Sequence, residues 1–214
     1  MVYNLSETAG LHQLFLSQLR DKEIQKDRFR FRKNMERLGQ LLAYEISKKM
    51  PFITTEVETP LGKSPVKLSE APVLCCILRA GLPFFQGFQD FFNESDAGFI
   101  GAYRGSSRQD HSFEIELDYL ALPDSTGKKI ILIDPMLATG KSMVKAARAL
   151  TKGGNPAGLI VASLIASPEG IAFLQRELPE ADIWTIAIDD CLNDHAYIVP
   201  GLGDAGDLSF GEKL

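Results

Sequence analysis

The sequence predicts an α/β fold, an open and mostly parallel sheet flanked by helices. Three observations carry that expectation. From residue 73 onward, short apolar runs alternate with helix-length amphipathic segments. One such pair, Ile130 to Lys152 (IILIDPMLATGKSMVKAARALTK), reads as buried strand, acid, short loop and helix. The composition is that of a folded chain: 214 residues, 45% hydrophobic and 24% charged, long enough to bury a core without disulfide or metal staples.

Taken in order, Ile24, Phe31, Met35, Leu38, Leu42 and Ile46 recur at helical spacings, so residues 24–48 are expected to form one long helix closed by Pro51. Pro60, Gly62, Pro65 and Pro72 break residues 52–72 into short strands and turns. Val73 to Leu78 reads as a strand, interrupted by Arg79-Ala80-Gly81 and followed by a Phe-rich helix over about 82–92 and a strand from Ala97 to Tyr103. Phe113, Ile115, Leu117 and Tyr119 alternate with Glu114, Glu116 and Asp118, the period of a half-exposed strand and an arm of a hairpin. Ile130 to Ile133 is a strand. Ser142 to Lys152 is a helix with Met143, Ala147 and Leu150 on one face, and Leu159 to Ile165 is another strand. Ser167-Pro168-Glu169 supplies an N-cap, a proline in the first turn and an acid beside the helix dipole, so a helix runs to about Leu178. Ile183 to Ile188 is the last core strand. The final twenty residues, rich in Gly, Asp and Leu, read as a loop-rich cap rather than a helix. There is no internal repeat and no low-complexity segment.

The net charge of −5 argues against a general nucleic-acid binder. Arg20 to Lys33 nevertheless holds seven basic and three acidic residues. A solvated helix face is one reading, and a surface for an anionic ligand or RNA is the other. Cys75, Cys76 and Cys191 are expected to be reduced and buried, as in a cytosolic protein. The opening MVYNLSETAG has no basic n-region and no apolar h-region, so no secretory signal is expected. No apolar stretch nears the roughly 18 residues of a membrane span. The sequon Asn93-Glu94-Ser95 is then a coincidence. His12, His111 and His195 lack metal-ligand spacing, and Trp184 reads as core.

The chemistry is concentrated in Ile130 to Lys152. Ligands of open parallel sheets sit beyond the carboxyl ends of strands. A helix N-terminus there offers unpaired N–H groups and a partial positive charge, together a phosphate cradle. Thr139 and Ser142 add hydroxyls, and Gly140 lets the backbone approach closely. Asp134 stands where it could accept bonds from sugar hydroxyls or hold a metal. Read alone, the segment also fits an ordinary strand–loop–helix turn capped by Ser142. Two decoys fall away. Gly140-Lys141-Ser142 ends like a P-loop, but the leading glycine of that pattern is replaced by Pro135. Gly201 to Gly206 spells G-x-G-x-x-G, yet too little chain follows for the helix and acid a dinucleotide site needs.

DPMLATGKS, with ILRAGL upstream and YIVPGLGDAGDLSFG at the end, resembles the uracil phosphoribosyltransferase family of type I phosphoribosyltransferases. SPEGI and Arg28-Phe29-Arg30 are also similar, and the likeness runs from about residue 20 to 211. Other phosphoribosyltransferases usually carry two adjacent acids where this chain has Asp-Pro-Met. The resemblance implies one phosphoribosyltransferase domain over 1–214: an N-terminal helical part (1–50), an α/β core (73–190) and a loop-rich base-binding hood (191–214). Gly105 to Asp118 would form a flexible hairpin lid. The implied reaction moves the phosphoribosyl group from phosphoribosyl pyrophosphate (PRPP) to uracil, giving UMP and pyrophosphate in cytoplasmic pyrimidine salvage. Mg²⁺ would arrive with PRPP, with no direct metal site on the protein. A homodimer or larger homo-oligomer and a GTP effector belong to the same expectation.

Position by position, the resemblance places Arg79 and Arg104 on the pyrophosphate. Asp134, Pro135, Met136, Leu137, Ala138, Thr139, Gly140, Lys141 and Ser142 would wrap the 5′-phosphate and ribose. Ile198, Gly203, Asp204 and Ala205 would bind uracil, largely through backbone groups. Asp204 would also touch PRPP or its Mg²⁺ shell and is the candidate catalytic residue. Arginine forks suit a ligand of many negative charges, although Arg79 and Arg104 read alone favour surface or structural ion pairs. Uracil's edge reads acceptor, donor, acceptor. Cytosine would leave a buried backbone donor unpaired at a cost of about 1–3 kcal/mol. Lys141 stands where the family usually has a second glycine, so it either adds a phosphate contact or crowds the loop. Arg104 is followed by GSSRQDHSF where the family tends to be acidic, and Pro83 replaces a small residue after RAGL. Two other readings stay open: a regulatory protein of this fold that binds uracil nucleotides or RNA, and transfer to another base such as a purine or orotate. GLGDAGD holds no basic residue for orotate's carboxylate.

Overall fold

The computed structural model describes residues 1–107, 113–152 and 154–213, without the side chains of 102–107 and 113–117. The chain opens with an edge strand β1 (Val2–Asn4), helix α1 (Leu11–Arg20), helix α2 (Arg28–Ser47) and the hairpin β2 (Phe52–Thr59) and β3 (Gly62–Ser69). There follow β4 (Val73–Leu78), α3 (Leu82–Phe91), β5 (Ala97–Ser107), β6 (Phe113–Ala121), β7 (Lys129–Ile133), β8 (Met136–Leu137), α4 (Lys141–Lys152), β9 (Gly158–Ala166), α5 (Pro168–Glu177) and β10 (Asp182–Ile188). The chain ends through β11 (Cys191–Leu192), β12 (Ile198–Val199) and α6 (Ala205–Phe210). Among the described residues, the main sheet runs β1-β10-β9-β7-β4-β5-β6, with β8 beside β9. All its pairings are parallel except β5 with β6.

The central strands are continuous apolar runs because both faces are covered. Leu74, Cys76, Ile131, Ile133, Ile160 and Ala162 face a core shared with α1, α2 and α3. The alternate residues Val73, Cys75, Ile77, Ile130, Leu132 and Val161 face α4 and α5. Trp184 joins the first core, and its ring stacks on Tyr3 at 4.0 Å, which fastens β1 to the sheet edge.

Several expectations need correction. The long helix starts at Arg28, not at residue 24. Asp27 takes an extended conformation and its carboxylate accepts the Arg30 N–H (3.1 Å), which ends the preceding 3₁₀ turn Ile24–Lys26 and caps α2. The chain's end is not helix-free. Asp204 accepts the N–H groups of Gly206 (2.8 Å) and Asp207 (3.0 Å), and this cap nucleates the six-residue α6. Cys75 and Cys76 are buried free thiols as expected, but Cys191 lies exposed on the short two-stranded sheet β11–β12. Helix α1 and strand β1 are not evident from the sequence pattern. Of the α1 positions that turn inward, His12, Leu16 and Leu19, one is a histidine, which masks the apolar stripe. The region 52–72 is one regular antiparallel hairpin with eight-residue strands, exposed along nearly its whole length. The lid segment 105–118 falls on the ends of the antiparallel pair β5–β6, and its part 108–112 lies outside the described residues.

Candidate active site

Helix α3 packs on one face of the sheet through Phe84, Phe85 and Phe88, while α4 packs on the other through Met143, Val144 and Ala147. The chain therefore leaves β4 and its sheet neighbour β7 in opposite directions. In an open α/β sheet such a reversal opens a crevice at the strands' carboxyl ends. A cleft of about 500 Å³ lies there. Leu78, Arg79 and Ala80 line it from the end of β4, and Asp134, Met136, Ala138 and Ser142 from the end of β7 and the start of α4. Ala196, Tyr197 and Ile198 and the run Gly203 to Gly206 close it from the C-terminal side, with Lys213 at its border.

The loop before α4 is held from behind. Gly140 adopts φ +75°, the left-handed conformation that glycine tolerates. Ser167 donates from its hydroxyl to Ala138 O (2.7 Å) and accepts the Gly170 N–H (2.9 Å). A Cβ on Gly170 would lie 2.1 Å from Ala138 O, so α5 reaches the loop only because that position is glycine. This is the structural use of SPEG. Lys141 does not occupy the left-handed position. It opens α4 with its side chain exposed and outside the cleft lining, so it does not crowd the loop.

Asp134 directly follows β7 at the cleft. Burial pushes its carboxyl up to about 7, and the charge of Asp204 adds to that. The Met136 N–H, which donates to Asp134 Oδ1 (3.3 Å), works in the opposite direction. Arg79 follows the cis peptide Leu78–Arg79. Its Nη2 donates to Asp207 Oδ1 (3.1 Å) and to Gly211 O (3.2 Å), tying this turn to the chain's end. A Cβ on Gly206 would stand 3.8 Å from Ala80 Cβ and 4.0 Å from Arg79 Nη2, so α6 abuts the turn after β4.

The structure thus gathers Arg79, Asp134, Met136, Ala138, Ser142, Ile198, Gly203, Asp204 and Ala205 around one cavity. Pro135, Leu137, Thr139, Gly140 and Lys141 do not line it. Pro135 O accepts the N–H groups of Leu164 and Ile165, and Leu137 is core. Those two carry the loop rather than touch the cavity. The Arg104 side chain lies outside the described residues. Sequence reasoning missed Ile77, Leu78, Ala80, Ala196, Tyr197, Gly206 and Lys213. Ala80, Tyr197 and Gly206 sit inside motifs already singled out, so adjacency could have found them. Lys213 reaches the cleft only through the fold. Among the described residues, no group of three or more His, Cys, Asp or Glu is placed to hold a metal.

The basic stretch is largely spent within the chain. Lys26 pairs with Glu23, Arg30 with Asp27 and Lys33 with Glu36. Arg20 binds Asp189 and Gly201 O, and Arg32 donates to Ser209 O (2.7 Å). No helix among the described residues is long and apolar enough to cross a membrane.

A family model described as uracil phosphoribosyltransferase matches residues 7–212. A Porphyromonas gingivalis protein named uracil phosphoribosyltransferase is 46% identical over 215 residues, covering 100% of this chain and 99% of that protein. One of the same name from Pyrococcus furiosus is 37% identical and covers 100% of this chain and 91% of its own. A solved structure, the AQ2163 protein of Aquifex aeolicus, superposes with a TM-score of 0.88 at 32% identity, over 99% of this chain and 98% of that one.

Proposed function

The chain belongs to the uracil phosphoribosyltransferase family, and we propose that the cleft at the ends of β4 and β7 holds PRPP while the segment 198–205 reads uracil. The activity is that of the family: PRPP and uracil give UMP and pyrophosphate. The observation that carries the assignment is the convergence of Arg79, Asp134 and Ser142 with Ile198, Gly203 and Ala205 on one cavity, from positions up to 126 residues apart (Arg79 to Ala205).

In this reading the 5′-phosphate sits at the N-terminus of α4 against Ser142, where backbone N–H groups and the helix dipole favour an anion. Asp134 accepts the ribose hydroxyls. Arg79 exchanges its bonds to Asp207 and Gly211 O for the pyrophosphate, as a guanidinium fork suits. Arg104 on β5 serves the same ligand. Uracil lies against Ile198, Gly203 and Ala205, with Tyr197 as an aromatic wall. The bond from C1′ to pyrophosphate breaks with its electron pair on the leaving group. A bond from uracil N1 to C1′ forms, and N1 gives up its proton to solvent water. The protein contributes chiefly position and charge complementarity.

The residues fit a Mg²⁺ that enters with PRPP. Asp134 and Asp204 put oxygen ligands on the cleft, and a site of this kind takes the ion through one or two carboxylates plus substrate phosphates. When bound, the ion neutralises charge on the pyrophosphate. We carry the whole chain as one domain, acting in the cytoplasm as a homo-oligomer with GTP as an effector. The exposed hairpin β2–β3, with Phe52, Ile53, Val57, Leu61 and Leu68 open to solvent, supports the oligomer, since an isolated two-stranded hairpin is marginal in water.

The test mixes purified protein, PRPP and Mg²⁺ with uracil, cytosine, orotate or hypoxanthine, and follows nucleotide and pyrophosphate. UMP alone is expected. Orotate belongs in the panel because Lys213 supplies a cation beside the cleft. A product from another base, or none from uracil, overturns the reading.

A further inference from the structure

We propose that Arg20 and Asp189 are positioning residues for the base, acting as a clamp on Gly201 that sets where Ile198 and Gly203 meet uracil. The inference rests on the assignment of 198–205 to uracil and deepens it. Asp189 directly follows β10, and its N–H donates to Ala166 O (2.9 Å), so its backbone is tied to the ends of two sheet strands. Its side chain is 4% exposed. The carboxylate takes the Arg20 fork, with Nη1 on Oδ2 (2.8 Å) and Nη2 on Oδ1, and Oδ2 also accepts the Gly201 N–H (2.9 Å). Arg20, the last residue of α1, donates in addition to Gly201 O (2.8 Å). Both polar groups of Gly201 are thus taken by one ion pair whose members stand on α1 and at the end of β10.

Gly201 is the tightest point of the segment. Its φ is +63°, and a Cβ there would lie 2.1 Å from Ile198 O. The chain doubles back on Ile198, which lines the cleft, and reaches Gly203 two residues later. A shift of Gly201 therefore moves both cleft-lining residues together. An ion pair sunk in the fold is a poor source of stability compared with apolar packing, and its best-attested use is fixing register. The pair also has no place on the PRPP side, since neither Arg20 nor Asp189 lines the cleft. A clamp of this kind should act on uracil and leave PRPP alone.

The test uses the full chain with Arg20→Ala, Arg20→Lys, Asp189→Asn and, as a direct cleft-lining control, Ala205→Val. Steady-state KM is measured for each substrate with the other saturating, beside thermal melting. Arg20→Ala should raise the uracil KM about tenfold or more, and Arg20→Lys, which keeps the charge but not the fork, should raise it less. Asp189→Asn should fall between them. The PRPP KM should stay within about twofold throughout, because only the base loop has moved. If Arg20→Ala does not fold, Arg20→Lys and Asp189→Asn carry the same comparison. Equal rises in both KM values, or no rise in either, overturn the clamp. If Ala205→Val raises the uracil KM and the clamp variants do not, the clamp alone is wrong. If Ala205→Val also leaves it unchanged, the base site is misplaced and the clamp falls with it.

Discussion

The two halves of the cleft are held in opposite ways. The loop 134–142 leaves a core strand, enters a twelve-residue helix and is braced by α5 through Ser167 and Gly170. The segment 198–210 has only the two-residue strand β12 and the six-residue helix α6 of its own. Its backbone is gripped by side chains from outside the segment: Arg20 and Asp189 at Gly201, Arg32 at Ser209 and Arg79 at Gly211 just beyond. If the proposed assignment holds, the difference teaches that a phosphate cradle is a local product of strand, turn and helix, whereas a segment that reads a base must be positioned from outside. The geometry of such a segment is only as good as its anchors.

The comparison can be broken first at Asp134. Asp134→Asn should weaken PRPP by about 1.5–3 kcal/mol, or ten- to hundredfold in KM, by removing a charged acceptor, and should leave the uracil KM nearly unchanged. The same group sets a pH signature. Its carboxyl is raised to about 7 in the folded chain, so the folded state holds a proton that the unfolded state has lost. Asp134 should therefore erode stability as pH climbs from the ordinary carboxylate range to about 7, with the loss complete above that. Urea midpoints of the unliganded protein should show this slope, and Asp134→Asn should remove it. An unchanged slope would mean that the Asp134 carboxyl titrates elsewhere.

A matched pair of glycines sharpens the contrast. A methyl group at Gly170 or at Gly201 meets a backbone oxygen at 2.1 Å, Ala138 O in one case and Ile198 O in the other. Each alanine substitution should cost about 1–3 kcal/mol of stability. The KM shifts should separate: Gly170→Ala raises the PRPP value about tenfold, and Gly201→Ala the uracil value by as much. Parallel shifts in both would show that the cleft moves as one body. The smallest expected effect is at Lys141. Its exposed ammonium at the start of α4 adds long-range attraction, so Lys141→Gly should weaken PRPP several-fold, more at low salt than at high. Calorimetry that finds one affinity at both salt concentrations would remove Lys141 from the account.

The same contrast explains what the sequence could disclose. Core strands covered on both faces, the helix after Gly140 and the Ser167 cap are written within a few residues of one another, and local pattern finds them. Asp27 as a helix start was equally local, but the apolar period of Ile24 and Phe31 overrode it. Helix α6 was hidden because its cap, Asp204, sits in a glycine-rich string that reads as turn. The clamp of Arg20 on Asp189 and Gly201 spans most of the chain. No spacing rule joins such residues, and Arg20 looked like one cation among seven on a solvated face. Lys213 was invisible for the same reason. The motifs did indicate which segments meet, because the ends of β4 and β7 and the glycine-rich tail each carried a recognisable resemblance.

The central claim is that a phosphate settles at the start of α4 while a pyrimidine rests on the C-terminal segment. A crystal structure of the protein with UMP tests it directly. The account predicts the phosphate within hydrogen-bonding distance of Ser142 and the first N–H groups of α4, with the uracil ring against Ile198, Gly203 and Ala205. A phosphate lodged at Arg79 and Lys213, or a base turned toward Asp134, would contradict it.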